Sequence, residues 1–154
     1  MGTYNLTKGD TAIAALSYSQ GMFCVRIPVV VSEIIAANAT LLAAAKITAA
    51  DVIQLWDIPA KTVLLVSMAT FRVITPGTAA NTANIGLAGS NEMFAGIALD
   101  AAAETLTSVP KNGGWGTDNY GAVPFKTTDT LDMTFVADEV IGSFVIYVPG
   151  YFCD

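Results

Sequence analysis

The sequence predicts an all-β chain folded as an antiparallel β-sandwich of jelly-roll type. Three observations predict it. Short apolar runs recur along the chain, several with the period-two alternation of a half-buried strand. Gly, Pro and Asn punctuate them at regular intervals, as in sandwiches. The composition is 53% hydrophobic and only 13% charged, so most strand faces must be covered. The 154 residues suit one domain with a core of its own. Residues 1–20 are expected as an N-terminal arm and residues 21–154 as a single sandwich, with a short helix or turn near residues 33–46.

Residues 1–20 are polar and weakly periodic, which suits an arm that orders against a neighbour. "MFCVRIPVVV", Met22–Val31, is β-rich. Pro28 in its middle predicts an edge strand or a bulge, because proline cannot donate to a ladder. "SEIIAANATLLAAAKITAAD", Ser32–Asp51, is rich in helix formers, and Ser32 is the expected cap. It lacks a clean polar face, so a short helix or turn crossing one end of the domain is expected.

"DVIQLWDIPAKTVLLVSMATFRVITP", Asp51–Pro76, reads as a hairpin. Val52–Trp56 is one strand, Asp57–Lys61 the turn with Pro59 at its second position, and Thr62–Thr75 one long strand. Both faces of that strand are mostly apolar, which predicts cover on both sides. Trp56 and Phe71 read as core. Ala83–Leu87 and Met93–Leu99 read as short strands around Gly89-Ser90-Asn91. Residues 101–124 read as a long Gly-rich loop, a length that often signals function or an interface. In "TTDTLDMTFVADEVIGSFVIYVPGYF", Leu131, Met133 and Phe135 alternate with Thr130, Asp132 and Thr134. Phe144, Ile146 and Val148 line a last strand that Pro149-Gly150 ends, giving a second hairpin.

The composition excludes several functions. The net charge is −6, with seven basic residues scattered along the chain, so no stripe exists to neutralise phosphates and nucleic acid is not expected as a partner. There is no histidine, which removes the common nucleophile–base pairs and His-ligated zinc. Neither phosphate-loop spacing occurs. Asp57, Asp129, Asp132, Asp138 and Glu139 are the carboxylates a glycosidase pair would need. Each has an ordinary reading: Asp132 on the solvated face of a strand, Asp138-Glu139 as a turn pair, Asp57 accepting backbone N–H groups at its turn. Asp118-Asn119 offers oxygen ligands without the series a calcium loop needs. No enzyme, cofactor or metal is expected.

Two readings fit Cys24 and Cys153: buried thiols in a reducing compartment, or a staple between the chain ends. The longest uncharged runs, Thr11–Val25 and Ile34–Ala45, fall short of a membrane span. The sequence "MGTYNLTKGD" lacks signal-peptide order, and Leu6 breaks a myristoylation motif. Trp115 and Tyr120 in the Gly-rich loop are the leading candidate interaction residues, with Tyr4 in the arm and Arg72 on the long strand. Aromatics held by glycines can stack on sugars or fill a partner's pocket, or fold back as a lid.

Asp51-Val52-Ile53-Gln54, Asp57-Ile58-Pro59-Ala60, Thr62 and Thr75, with "TTDTLDMTF" at Thr127–Phe135, resemble a recurring pattern of small β-rich virion structural proteins of tailed bacteriophages. Lys61 stands where Gly or Asn is common there, and "ANIGLAGSNEMF" replaces a Gly-Asp-Gly-rich turn. The resemblance implies a virion component, most concretely a capsid decoration or cement protein. It implies a homotrimer on the outside of the head, clamping the major capsid protein and assembled in the host cytoplasm. The alternative is a tail or head-fibre component reading host glycans through Trp115 and Tyr120.

Overall fold

The computed structural model describes residues 3–5, 21–49, 51–87, 93–108 and 121–153. Two β-sheets pack face to face, and the expected all-β sandwich is what forms. The first sheet has the order β1 (Thr3–Asn5), β3 (Val52–Ile58), β10 (Asp129–Phe135), β6 (Thr82–Leu87), β7 (Phe94–Ala98). Its pairings are antiparallel except β1 with β3. β1 adds Thr3–Asn5 of the expected arm to the edge of this sheet; residues 6–20 lie outside the described residues.

The second sheet is built around β11 (Ser143–Phe152). One side of β11 carries β2 (Met22–Val30) along nearly its whole length. The other side carries β5 (Thr70–Thr75) at one end and β4 (Thr62–Leu64) at the other. Beyond these lie the short strands β8 (Leu106–Ser108) and β9 (Val123–Phe125), at the two ends of the stretch expected as loop.

The inward faces follow period two. Phe23, Val25, Ile27 and Val29 of β2 are buried while Met22, Cys24 and Arg26 are exposed. Phe144 and Ile146 of β11 lie beside Val73 and Phe71 of β5 in the same sheet, and Val148 continues their row. Phe71 stacks on Phe144 at 5.4 Å and meets Phe94 of the opposite sheet edge-on at 6.4 Å. Phe23 reaches Trp56 across the other margin at 6.1 Å.

Neither expected hairpin forms. β3 and β4 lie in different sheets, and so do β10 and β11. Pro59-Ala60-Lys61, with Lys61 at φ 60°, carries the chain from one sheet to the other. Alternation reports that a strand is half-buried; it does not report which sheet it joins.

The long strand Thr62–Thr75 is also broken, by a 3-10 turn at Val66–Met68. The cause lies opposite it. The carbonyl of Pro149 accepts from Leu65 N–H at 2.8 Å, so the ring nitrogen of Pro149 faces the same side. No N–H is available there to serve a continuous strand. The facing chain satisfies its own carbonyls instead, with Met68 N–H on Leu65 C=O at 3.0 Å and Ala69 N–H on Val66 C=O at 3.1 Å. Beyond the break the double apolar cover ends: Phe71 and Val73 are buried, while Arg72 is half-buried and Ile74 exposed.

The last strand does not stop at Pro149-Gly150 but runs to Phe152. Gly150 permits this: a Cβ there would stand 2.6 Å from Phe23 Cζ and 2.6 Å from the Val63 carbonyl.

The helical segment forms as two short helices, α1 (Val31–Ala37) and α2 (Ala39–Ala44). Ser32 does not cap; the N-cap of α1 is Val30, with no side-chain bond. The working cap is Asn38, whose Oδ1 accepts from Thr40 N–H at 3.0 Å and Leu41 N–H at 3.3 Å, because its extended backbone separates the two helices.

Gly150→Ala is expected to cost about 1–3 kcal/mol, the usual penalty for overpacking. Denaturant unfolding checks it, and an unchanged midpoint would mean that the Phe23 ring and the Val63 backbone both give way freely.

Candidate interaction surfaces

Three connections meet at one end of the sandwich, around the pair Asp138-Glu139. The sequence suggested an ordinary solvated turn. Glu139 is instead completely buried. One of its oxygens accepts from Thr78 N–H at 2.8 Å, from the Thr78 hydroxyl and from Val140 N–H at 3.2 Å. The other accepts from Asn81 Nδ2 at 2.9 Å. Asn81, also buried, accepts through Oδ1 from Thr82 N–H and Ala137 N–H, both at 2.9 Å. The Glu139 backbone exchanges two bonds of 2.9 Å with Ile47. One residue thus ties the α2–β3, β5–β6 and β10–β11 connections together. Its charge is compensated by converging donors, the condition for burying a carboxylate.

Gly77 belongs to this cluster, since a Cβ there would meet Glu139 Oε2 at 3.0 Å. Asp138 faces outward and bonds Lys46 Nζ at 2.6 Å and Ala49 N–H at 3.0 Å. The Lys46 hydrogen bond first, then the Ala49 N–H, hold its carboxyl below the usual aspartate range. No local pattern in "FVADEV" marks either role.

Asp132 is buried, at 2% exposure, not solvated as the alternation implied: β10 is a central strand, with β3 and β6 paired on either side of it. Asp57 is exposed and accepts no backbone N–H among the described residues. Asp129 accepts from Thr130 N–H at 2.8 Å, and the two aspartates flank an open cleft with Thr128 and Thr130. Among the described residues no group of three or more metal-ligating side chains occurs. No described helix is long and apolar enough to cross a membrane.

Both cysteines are free and exposed, which corrects the expectation of buried thiols. Cys24 pairs with Pro149 and Cys153 follows roughly 13 Å further along the same ladder, beyond the reach of a disulfide. Partial burial pushes the Cys24 thiol upward.

The candidate interaction residues scatter. Arg72 lies on the outer face of the second sheet and pairs with Glu104. Tyr4 pairs through its backbone with Ile53. Trp115 and Tyr120 lie outside the described residues.

No protein-family model matches the sequence, and no curated protein matches it. Solved structures with the same fold include a chain of the capsid of Ralstonia phage GP4. It is 12% identical, with a TM-score of 0.59 over 86% of this chain and 85% of that one. A chain of the cyanophage Pam1 capsid asymmetric unit is 15% identical, with a TM-score of 0.54 over 87% and 86% of the two chains. The fold is one that phage capsids contain. The paired coverages also make both capsid chains close to this chain in length, so the likeness extends over whole chains and not over a domain within a larger subunit.

Glu139→Ala is expected to cost about 3 kcal/mol or more, because the amide and hydroxyl donors of Thr78 and Asn81 lose their acceptor inside the fold. Calorimetry checks it; a loss below about 1 kcal/mol, the size of a surface effect, would remove the residue from its central role. Asp138 makes a smaller, pH-dependent contribution. Its folded pKa lies below the unfolded one, so its stabilisation is complete above about pH 4 and is lost as the pH falls through the folded value. Lys46→Met should flatten the acid limb of thermal midpoint against pH. Parallel wild-type and variant profiles would exclude the Lys46–Asp138 contact as its source.

Proposed function

We propose that the protein is a structural component of a phage virion, a decoration or cement protein on the outside of the head. The observation that carries this reading is the whole-chain likeness to chains of two phage capsids. The chemistry of the chain agrees with it. The most deeply buried carboxylate, Glu139, is consumed by structural hydrogen bonds, and the chain has no histidine to act as a base near neutral pH. Nine large hydrophobic side chains are exposed among the described residues, Leu106, Met68, Leu42 and Val136 the most open, as in a protein whose working surface is contact with others.

In this reading the protein is a homotrimer that bridges neighbouring major capsid subunits and stabilises the shell by summed apolar contact. It is a non-enzymatic role, filled in the virion after assembly in the host cytoplasm. In the arm of residues 1–20, Thr3–Asn5 is anchored on β3 of its own chain while the remainder reaches a neighbour, and the Trp115/Tyr120 loop supplies the aromatic anchors.

Purified protein added to heads that lack it is expected to co-sediment with them to saturation and to raise the temperature at which they release DNA. Absence of binding, together with glycan binding that Trp115→Ala abolishes, would replace this reading with host recognition by a tail or head fibre.

A further inference from the structure

The two outer faces of the sandwich differ in kind. On the first sheet the outward positions are polar: Gln54, Thr82, Asn84 and Thr130, none of them exposing a large apolar group. On the second sheet, Met22, Cys24 and Arg26 of β2 lie beside Tyr151, Pro149 and Tyr147 of β11 in cross-strand register. The first three are exposed and the last three half-buried. Leu106, 64% exposed, extends this surface across β8. Arg72 and Glu104 neutralise each other at its margin. Tyr, Met and Arg without Lys or Asp is the composition of an interface core.

We infer that this outer face of the second sheet is where a second copy of the chain docks. The inference rests on the decoration reading for its purpose, not for its geometry. Size is one argument. Four strand positions by nine residues would span roughly 19 Å by 30 Å, so a face that β8 and β9 fill only in part measures at most on the order of 600 Å² in projection before side-chain relief is counted. That approaches the ~800 Å² per partner of a standard stable interface. Charge is the other. Arg26 is exposed midway along β2, at the margin of the face, and has no carboxylate partner among the described residues. The chain carries 13 acidic against 7 basic residues, so a second copy brings the surplus carboxylates that Arg26 lacks. The contact therefore joins this face of one copy to a carboxylate-bearing surface of the next, such as the one that carries the exposed Asp57 and Asp129. Such head-to-tail contacts close into a ring when the rotation between copies divides a full turn, and a trimer is the smallest such ring.

Cys24 on the face and Cys153 at its end serve as reporters. The experiment measures mass by light scattering and thiol labelling by a maleimide for the wild type, Arg26→Glu and Tyr147→Ser, with thermal midpoints verifying that each folds. The wild type is expected as an oligomer with protected thiols. The variants are expected to fall towards one chain mass while labelling rises about tenfold or more, the effect of losing an interface anchor. A wild-type monomer with reactive thiols overturns the inference, and so do variants that keep the wild-type mass. Variants that stay oligomeric but no longer co-sediment with heads would assign the face to the capsid instead. Variants that dissociate, from a wild type that never binds heads, would keep this interface and remove the decoration reading.

Discussion

The side on which Pro149 presents no N–H organises the second sheet. β11 is its central strand, and every other strand of that sheet is attached to it directly or through one neighbour. Towards β2 its ladder is unbroken. Towards the other side it cannot be, because proline has no donor to give. The chain opposite splits into β4 and β5, and the 3-10 turn between them fills the gap with its own hydrogen bonds. Once split, β4 and β5 recruit separate outer strands, β9 and β8. A single missing hydrogen atom thus turns a simple sheet into one with a divided flank.

Glu139 imposes the second constraint. A sandwich whose connections cross between sheets must fix their geometry at the ends, where sheet hydrogen bonding stops. Glu139 does this with one buried charge that collects donors from three connections. Such a group is weak as a source of net stability and strong as a specifier of arrangement, since any other arrangement leaves the carboxylate or its donors unsatisfied inside protein. Its neighbours Val140 and Ile141 are held outward on that rigid loop, at 44% and 55% exposure.

Fold class, the longer alternating strands and the helical segment were legible in the sequence because each is set by local period and composition. Leu131, Met133 and Phe135, and likewise Phe144, Ile146 and Val148, point inward as their alternation implies. Sheet membership was not legible. Two successive strands look alike whether they pair with each other or face each other across a core, and here β3–β4 and β10–β11 face each other. The Glu139 junction was illegible for a related reason: Thr78, Asn81 and Glu139 are distant in sequence and polar, so nothing local separates them from surface turns. Proline was the exception. Pro28 correctly marked a margin strand, and the significance of Pro149 lay in a partner that the sequence does not reveal.

Pro28 has a further effect on how the protein behaves in a crowd. Phe152 N–H bonds Gly21 C=O at 3.1 Å, so the even-numbered residues of β11 bond β2, and the residues of β2 opposite odd ones turn their backbone groups outward. Those are Met22, Cys24, Arg26, Pro28 and Val30. An incoming strand finds N–H groups at the first three positions only, then a proline. Its ladder along β2 is interrupted after about five residues, which shortens the template that this margin offers. Copies crowded together at high concentration therefore find few backbone bonds to share along this margin, where an edge without proline would offer a longer template.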